Sequence, residues 1–142
     1  MLGNNPYEVI WDTPSEDYNG TVSLGNGEVA LNTWIEPSGD LRFYIARTDS
    51  WDDYGRLVKV GAIRISVGSN SKKKVDSFKQ VLNVKNATMD VYYKKEGNEV
   101  NLKLWVDANR PIIVVEIYAQ KPISVVASVE LWRTKQKELL NV

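Results

Sequence analysis

The sequence predicts an all-β protein that folds as a single antiparallel β-sandwich domain over residues 1–142. Along most of the chain, apolar and polar residues alternate with a period of two, which is the pattern of half-buried strands. Turn-forming residues separate the alternating runs at the spacing of about 8–12 residues that is typical of sandwiches and barrels. With 43% hydrophobic and 25% charged residues, the chain has the composition of a globular domain with one core.

The clearest element is a hairpin over residues 29–45. Its two strands are joined by the turn EPSGD, in which Pro37 and Gly39 hold positions that tight turns favour. One face of this hairpin is mainly apolar because nearly every second residue is apolar. The residues on that face are Val29, Leu31, Thr33, Ile35, Leu41, Phe43 and Ile45.

The same alternation predicts six further strands, over residues 58–67, 80–84, 89–93, 100–107, 112–119 and 123–131. The phase of the alternation changes at Gly61, which predicts a β-bulge at that residue. The nearly continuous apolar run of residues 112–119 predicts a strand that is covered on both faces.

Only the C-terminal stretch RTKQKELLNV has a helix-forming composition. It follows the last predicted strand without a linker, so we expect the chain to be the N-terminal part of a longer multidomain protein, and its sandwich to be a truncated portion of a larger one. A truncation of this kind predicts an exposed strand edge and an exposed apolar surface. The N-terminus has no apolar segment of the length that a signal peptide requires, and no stretch of the chain is suited to span a membrane.

Composition excludes several classes of function. The 18 basic and 18 acidic residues cancel, so no long-range field favours nucleic acid or anionic lipid as a partner. The chain has neither histidine nor cysteine, which excludes Ser-His-Asp and thiolate catalysis, disulfides, and metal sites built from histidine or cysteine. The remaining options are carboxylate acid–base chemistry, oxygen-ligated cations, and binding through aromatic and polar side chains. We predict no cofactor and no metal.

The loop ARTDSWDDYGR, residues 46–56, concentrates the candidate chemistry. Its oxygen ligands for a hard cation such as calcium would be Asp49, Ser50, Asp52 and Asp53. The spacing, however, lacks the glycine and glutamate of an EF-hand loop. The alternative, which we favour, is that the loop carboxylates pair with Arg47 and Arg56 and accept hydrogen bonds from loop amides.

Trp51 and Tyr54 lie among these carboxylates, an arrangement that resembles a sugar-binding surface. An aromatic ring can stack on a pyranose, but tryptophan in a β protein more often fills a core or an interface. Asp49 and Asp52 could in principle form the acid pair of a glycoside hydrolase. Any acidic loop offers such a pair, and no apolar setting is evident that would raise a pKa, so we assign no catalytic residue.

The stretch LGNGEV, residues 24–29, is not a phosphate loop, because it lacks the lysine and precedes a strand. Its glycines predict a tight bend, at which Asn26 presents its side-chain amide. The candidate substrate or interface residues are therefore Asn26, Asp49, Trp51, Asp52, Tyr54 and Arg56.

Several motifs together resemble a known family. The opening WDTPSEDYNGTVSLGNGEVALNTW, residues 11–34, is similar to the N-terminal domain of family 95-type glycoside hydrolases, with Ser23 where those proteins have proline. The chain more closely resembles a related bacterial family whose N-terminal domain is a domain of unknown function. The matching segments are LGNG (24–27), FYIARTDSW (43–51), the set Gln80, Leu82, Ala87 and Met89, and VDANRP (106–111). The resemblance extends from Trp11 to about Trp132.

This resemblance implies a large β super-sandwich that precedes an (α/α)6 barrel, and it places the catalytic carboxylates in that barrel. The chain would then be a non-catalytic accessory domain of a periplasmic or extracellular glycoside hydrolase involved in polysaccharide breakdown. The loop from Thr48 to Arg56 would face the barrel, either touching its active-site rim or, as we favour, packing at the domain interface. Two alternatives remain open: a stand-alone carbohydrate-binding module and a structural extracellular β-sandwich.

Overall fold

The computed structural model describes residues 5–58, 60–68 and 72–131. Within these ranges the chain forms β-strands and one short 3-10 turn at Tyr18–Gly20, so the all-β prediction is confirmed. The strands are β1 (Glu8–Trp11), β2 (Val22–Gly25), β3 (Val29–Ile35), β4 (Leu41–Arg47), β5 (Gly61–Val67), β6 (Ser77–Asn83), β7 (Thr88–Lys95), β8 (Asn98–Val106), β9 (Ile113–Ala119) and β10 (Val125–Glu130). The stretch RTKQKELLNV lies outside the described residues.

The strands form two five-stranded antiparallel sheets that pack face to face, as predicted for a sandwich. Sheet A has the order β1-β6-β7-β8-β9, and sheet B has the order β10-β5-β4-β3-β2. Each sheet is mostly a meander of consecutive strands. There are two exceptions. β1 precedes β2 of sheet B in the chain but pairs with β6 in sheet A, and β10 follows β9 of sheet A but pairs with β5 in sheet B.

The core lies between the sheets and is built from the alternating apolar residues. In sheet B, Leu31 and Leu41 are almost fully buried, and in sheet A so are Val91 and Leu104. Each such side chain stabilises the fold by about 1.5–3 kcal/mol relative to an exposed one. The predicted hairpin is present as β3 and β4, with Val29 opposite Arg47 and Ile35 opposite Leu41.

Two local predictions are wrong. Gly61 is the first residue of β5 and not a bulge, because the pairing of β5 with β4 runs without interruption from Gly61 to Ile65. The strand at residues 112–119 is not covered on both faces in the described structure. It forms β9 at the edge of sheet A, where Tyr118 is 61% exposed.

An exposed edge and an exposed apolar surface, which the sequence predicted, occur together at β10. This strand ends sheet B among the described residues, and its apolar side chains are largely in solvent. The exposed residues in and beside it are Val125, Val126, Val129 and Leu131. The described part of the chain contains no helix that is long and apolar enough to cross a membrane.

Candidate functional site

The aspartate-rich loop after β4 is a compact, internally bonded structure. Trp51 and Leu57 face each other in an isolated antiparallel bridge, and the amide of Val58 donates to the carbonyl of Ser50 at 2.7 Å. The loop therefore folds back on itself as a miniature hairpin. We call residues 48–58 the aromatic loop.

Asp52 fixes the tip of the aromatic loop. One oxygen, Oδ1, accepts from the amides of Tyr54 and Arg56, and the other, Oδ2, lies 2.8 Å from Arg56 Nε. These bonds, led by the one from the Arg56 amide, lower the pKa of Asp52 below its ordinary value. Asp52 is thus a charged anchor of the loop at neutral pH and does not have the raised pKa of a general acid.

Asp49 is also engaged within the chain. Its Oδ1 lies 3.1 Å from Nε of Arg47. The same arginine forms an ion pair with Glu28, with 3.0 Å between Nη2 and Oε1. The expected pairing of the loop carboxylates with Arg47 and Arg56 is therefore present. No group of three or more acidic side chains in the described ranges is arranged to hold a metal ion.

The loop presents apolar side chains to solvent. Trp51 is 58% exposed, Tyr54 73% and Leu57 58%. The indole Nε1 of Trp51 donates to the carbonyl of Thr48 at 2.7 Å, and the Arg56 guanidinium lies 5.3 Å from the centre of the Tyr54 ring. The Trp51 ring is therefore held by a hydrogen bond and the Tyr54 ring contacts a guanidinium, although both rings are largely in contact with water.

A groove of about 360 Å³ lies beside the loop on the outer face of sheet B. Its floor is formed by residues of β3 and β4, and Leu57 and Val58 of the aromatic loop form part of its wall. The lining residues are Ala30, Leu31, Asn32, Tyr44, Ile45, Ala46, Leu57 and Val58. None of the candidate residues proposed from the sequence lines this groove, because the pairing of β3 with β4 creates it.

Asn26 has a different role from the loop residues. Its Nδ2 donates to the carbonyls of Asp107 and Arg110, at 2.8 and 3.0 Å, and its Oδ1 accepts from the amides of Glu28 and Val29. Two donors and two acceptor positions are the whole capacity of an amide side chain. Asn26 therefore presents its amide at the predicted bend, but to the protein itself.

A charged cluster on the outer face of sheet B was not recognised in the sequence. Arg64 contacts Glu36 at 2.7 Å, Asp40 at 3.2 Å and Glu130 at 2.9 Å. Arg42 pairs with Glu36 and Glu130 as well, and it stacks over the buried ring of Trp34 at 5.1 Å.

Electrostatics in this cluster favour the charged forms. The hydrogen bond from Arg64 has the largest effect on the pKa of Glu130 and lowers it. Burial raises this pKa, but the bond from Arg42 lowers it again, so the pKa stays below its ordinary value. Burial by itself would lower the pKa of Arg64, but its bonds to Glu36 and Glu130 outweigh burial and raise it. The cluster is therefore a set of permanent ion pairs that joins β10 to the turn before β4.

The fold and the loop together define a β-sandwich domain that displays a fixed aromatic surface at one end of sheet B. Residues 10–141 match the N-terminal family described as Domain of unknown function (DUF5703). Because this match covers nearly the whole chain, the protein belongs to that family, which confirms the resemblance to a domain of unknown function. A comparison with curated proteins finds no match.

Proposed function

We propose that the protein is a non-catalytic accessory domain of a bacterial glycoside hydrolase, and that it supports an (α/α)6 catalytic barrel of the same polypeptide outside the cell or in the periplasm. The family resemblance of residues 11–34 and 43–51 suggests this role. The observation that carries it is the aromatic loop, where Trp51, Tyr54 and Leu57 are exposed on an internally bonded backbone.

The chemistry of the loop suits a protein interface. Aromatic and arginine side chains are enriched at interface cores, and the loop supplies two aromatic rings and Arg56. Because hydrogen bonds already hold Trp51 and the loop tip, docking would cost little additional conformational entropy.

The acidic residues of the aromatic loop favour an accessory role over a catalytic one. Asp49 forms an ion pair and Asp52 has a lowered pKa, whereas glycoside hydrolysis needs a carboxylic acid whose pKa is raised. We therefore assign the proton transfers of the parent enzyme to its barrel.

Binding between this chain and a separately produced barrel tests the proposal. The barrel is the one encoded downstream in the same reading frame, and a frame that encodes no helical barrel after Val142 would contradict the proposal. Trp51→Ala combined with Tyr54→Ala is expected to weaken binding by about tenfold or more. Tyr118→Ala is the matched control, because Tyr118 is equally exposed but lies on the edge strand of sheet A.

A carbohydrate-binding module is the second candidate, favoured by the groove beside the exposed ring of Trp51. Affinity electrophoresis in gels that contain polysaccharides separates the two functions. Retardation of the isolated chain, lost in Asn32→Ala within the groove, would support the module and count against the accessory role. Unretarded migration on every polysaccharide is the result expected for the accessory domain.

A further inference from the structure

Among the described residues, the edge strand β10 shows none of the features that keep strand edges from associating. Natural edge strands carry lysine, proline or a bulge, or are covered by another segment. The segment ISVVASVEL, residues 123–131, contains only one charged residue, Glu130, which already pairs with Arg42 and Arg64. Its apolar side chains are largely exposed, with Val129 at 68% and Leu131 at 65%, and contiguous exposed apolar residues of this kind mark interaction surfaces.

The open side of β10 offers backbone groups at every second residue. The carbonyl of Ser124 accepts from the amide of Gly68 at 2.8 Å, so the backbone groups of Ser124 point towards β5. Because these directions alternate in an antiparallel ladder, Val125, Ala127 and Val129 direct their N–H and C=O groups to the open side. The same three residues have their side chains on the face of sheet B that points towards sheet A, in line with Ile63 and Ile65 of β5.

We propose that a second copy of this chain occupies the edge, and that the two β10 strands pair antiparallel about a two-fold axis at Ala127. In this register Ala127 faces its own equivalent, and Val125 faces Val129 of the second copy. All of these residues have outward backbone groups, so each facing pair exchanges two hydrogen bonds and the strands form about six in total.

Side chains support the same register. On the inner face every facing pair is apolar, since Ile123 also comes opposite Leu131 of the second copy. On the outer face Val126 comes opposite Ser128, and Glu130 comes opposite Ser124, so no like charges meet. A register displaced by one residue would bring the outward backbone groups of one strand opposite residues whose groups point to β5, so the ladder could not form.

The pairing is closed, because the two-fold axis uses the open edge of both copies and leaves neither free for a third. It does not involve the aromatic loop, which follows β4, whereas β10 lies beyond β5 at the edge of the sheet. Failure of the dimer would therefore leave the proposed docking of the loop untouched, and the reverse also holds.

The molar mass of the full 142-residue chain in solution tests the inference. Light scattering coupled to size exclusion, over a roughly hundredfold range of concentration, should show the mass rise from 16.1 kDa towards twice that value. A mass of one chain at all concentrations, or one that grows without limit, would overturn the proposal.

Substitutions locate the interface. Ala127→Pro removes an outward N–H, and proline is tolerated at such edge positions, so the variant should stay folded and monomeric. Val129→Lys places a charge opposite Val125 and should have the same effect. Val126→Lys is the control, because that side chain lies on the outer face, and it should still dimerise. Dimerisation that survives Ala127→Pro and Val129→Lys but is lost in Trp51→Ala would move the interface to the aromatic loop and refute this assignment.

Amide hydrogen exchange gives an independent measurement on the unmodified chain. The amides of Val125, Ala127 and Val129 should gain protection as concentration rises, whereas those of Val126 and Ser128, which face β5, should be protected throughout. Protection of the odd-numbered amides that does not depend on concentration would contradict pairing between two copies.

Discussion

Asn26 joins the two sheets of the sandwich: its Nδ2 donates to the main-chain carbonyl of Asp107 at 2.8 Å. The asparagine lies in the turn between β2 and β3 of sheet B, and the aspartate follows β8 of sheet A. The carboxylate of Asp107 in turn forms an ion pair with the Arg110 guanidinium, with 2.6 Å between Oδ2 and Nη2. The bend that carries the LGNG motif is therefore a connection between layers.

Replacing Asn26 by alanine should destabilise the protein by about 2–3 kcal/mol, because it leaves the amides and carbonyls that Asn26 satisfies without partners. Urea unfolding measures this change. Asn101→Ala, on the exposed outer face of β8, is the matched control and should change stability by less than about 0.5 kcal/mol. Equal effects of the two substitutions would refute the role of Asn26 as an inter-sheet connection.

The charged cluster should be more important for stability than the exposed ion pairs. Arg64→Ala is expected to cost about 2 kcal/mol, since it leaves Glu36, Asp40 and Glu130 with too few cations at a partly buried site. Arg56→Ala removes a pair whose arginine is 60% exposed, and it should cost less than about 1 kcal/mol. Thermal or urea unfolding of both variants makes the comparison, and a larger loss in Arg56→Ala would contradict it.

Acid should weaken the protein partly through Glu130. Because the pKa of Glu130 is lower in the folded state than its ordinary value of 4.5, its contribution is present above that value and is lost as pH falls through the folded pKa. Glu130→Gln should therefore be less stable than the natural sequence at pH 7, and the difference should shrink as the solution is acidified. Urea unfolding at a series of pH values measures it, and a difference independent of pH would count against the ion pairs.

Two glycines with similar backbone angles should differ in their tolerance of a side chain. Gly39 has φ +85° and Gly97 φ +70°, so alanine is strained at both by about 1 kcal/mol. At Gly39 a Cβ would also lie 3.0 Å from the ring of Tyr93, whereas at Gly97 no atom lies within 4 Å. Gly39→Ala should therefore cost about 1–3 kcal/mol more than Gly97→Ala in the free energy of unfolding. Equal costs would show that the Tyr93 ring and the Val75 side chain, which the Cβ would also approach to 3.0 Å, can both move aside.

Much of the fold could be predicted because the signal is local. Alternation assigned β3, β4 and β8 correctly, since buried residues alternate with more exposed ones along most of each strand. It missed β1 and β2, which are each four residues long and too short to show a period. It also misjudged β9, since an apolar run indicates burial but not whether the strand is central or at an edge.

The candidate site was predictable only in part. Pairing of Asp52 with Arg56 involves residues four apart, so it could be expected from composition of the loop. The charged cluster joins Arg64 to Glu36 and Glu130, which lie 28 and 66 residues away in sequence. Strand register brings them together, and the single sequence carries no direct signal of register between distant strands. The role of the aromatic loop in docking stays a prediction.

The chain order of the sheets has a consequence for synthesis on the ribosome. Strands β2–β5 are synthesised before β6–β9 and can pair as a meander, but the opposite sheet, in which β1 also pairs, is completed only when β6–β9 follow. Until then the apolar face of this meander, which includes Leu31 and Phe43, has no opposite sheet to pack against. During synthesis this face therefore stays exposed until β6–β9 can pack against it, and exposed apolar surface of this kind promotes aggregation.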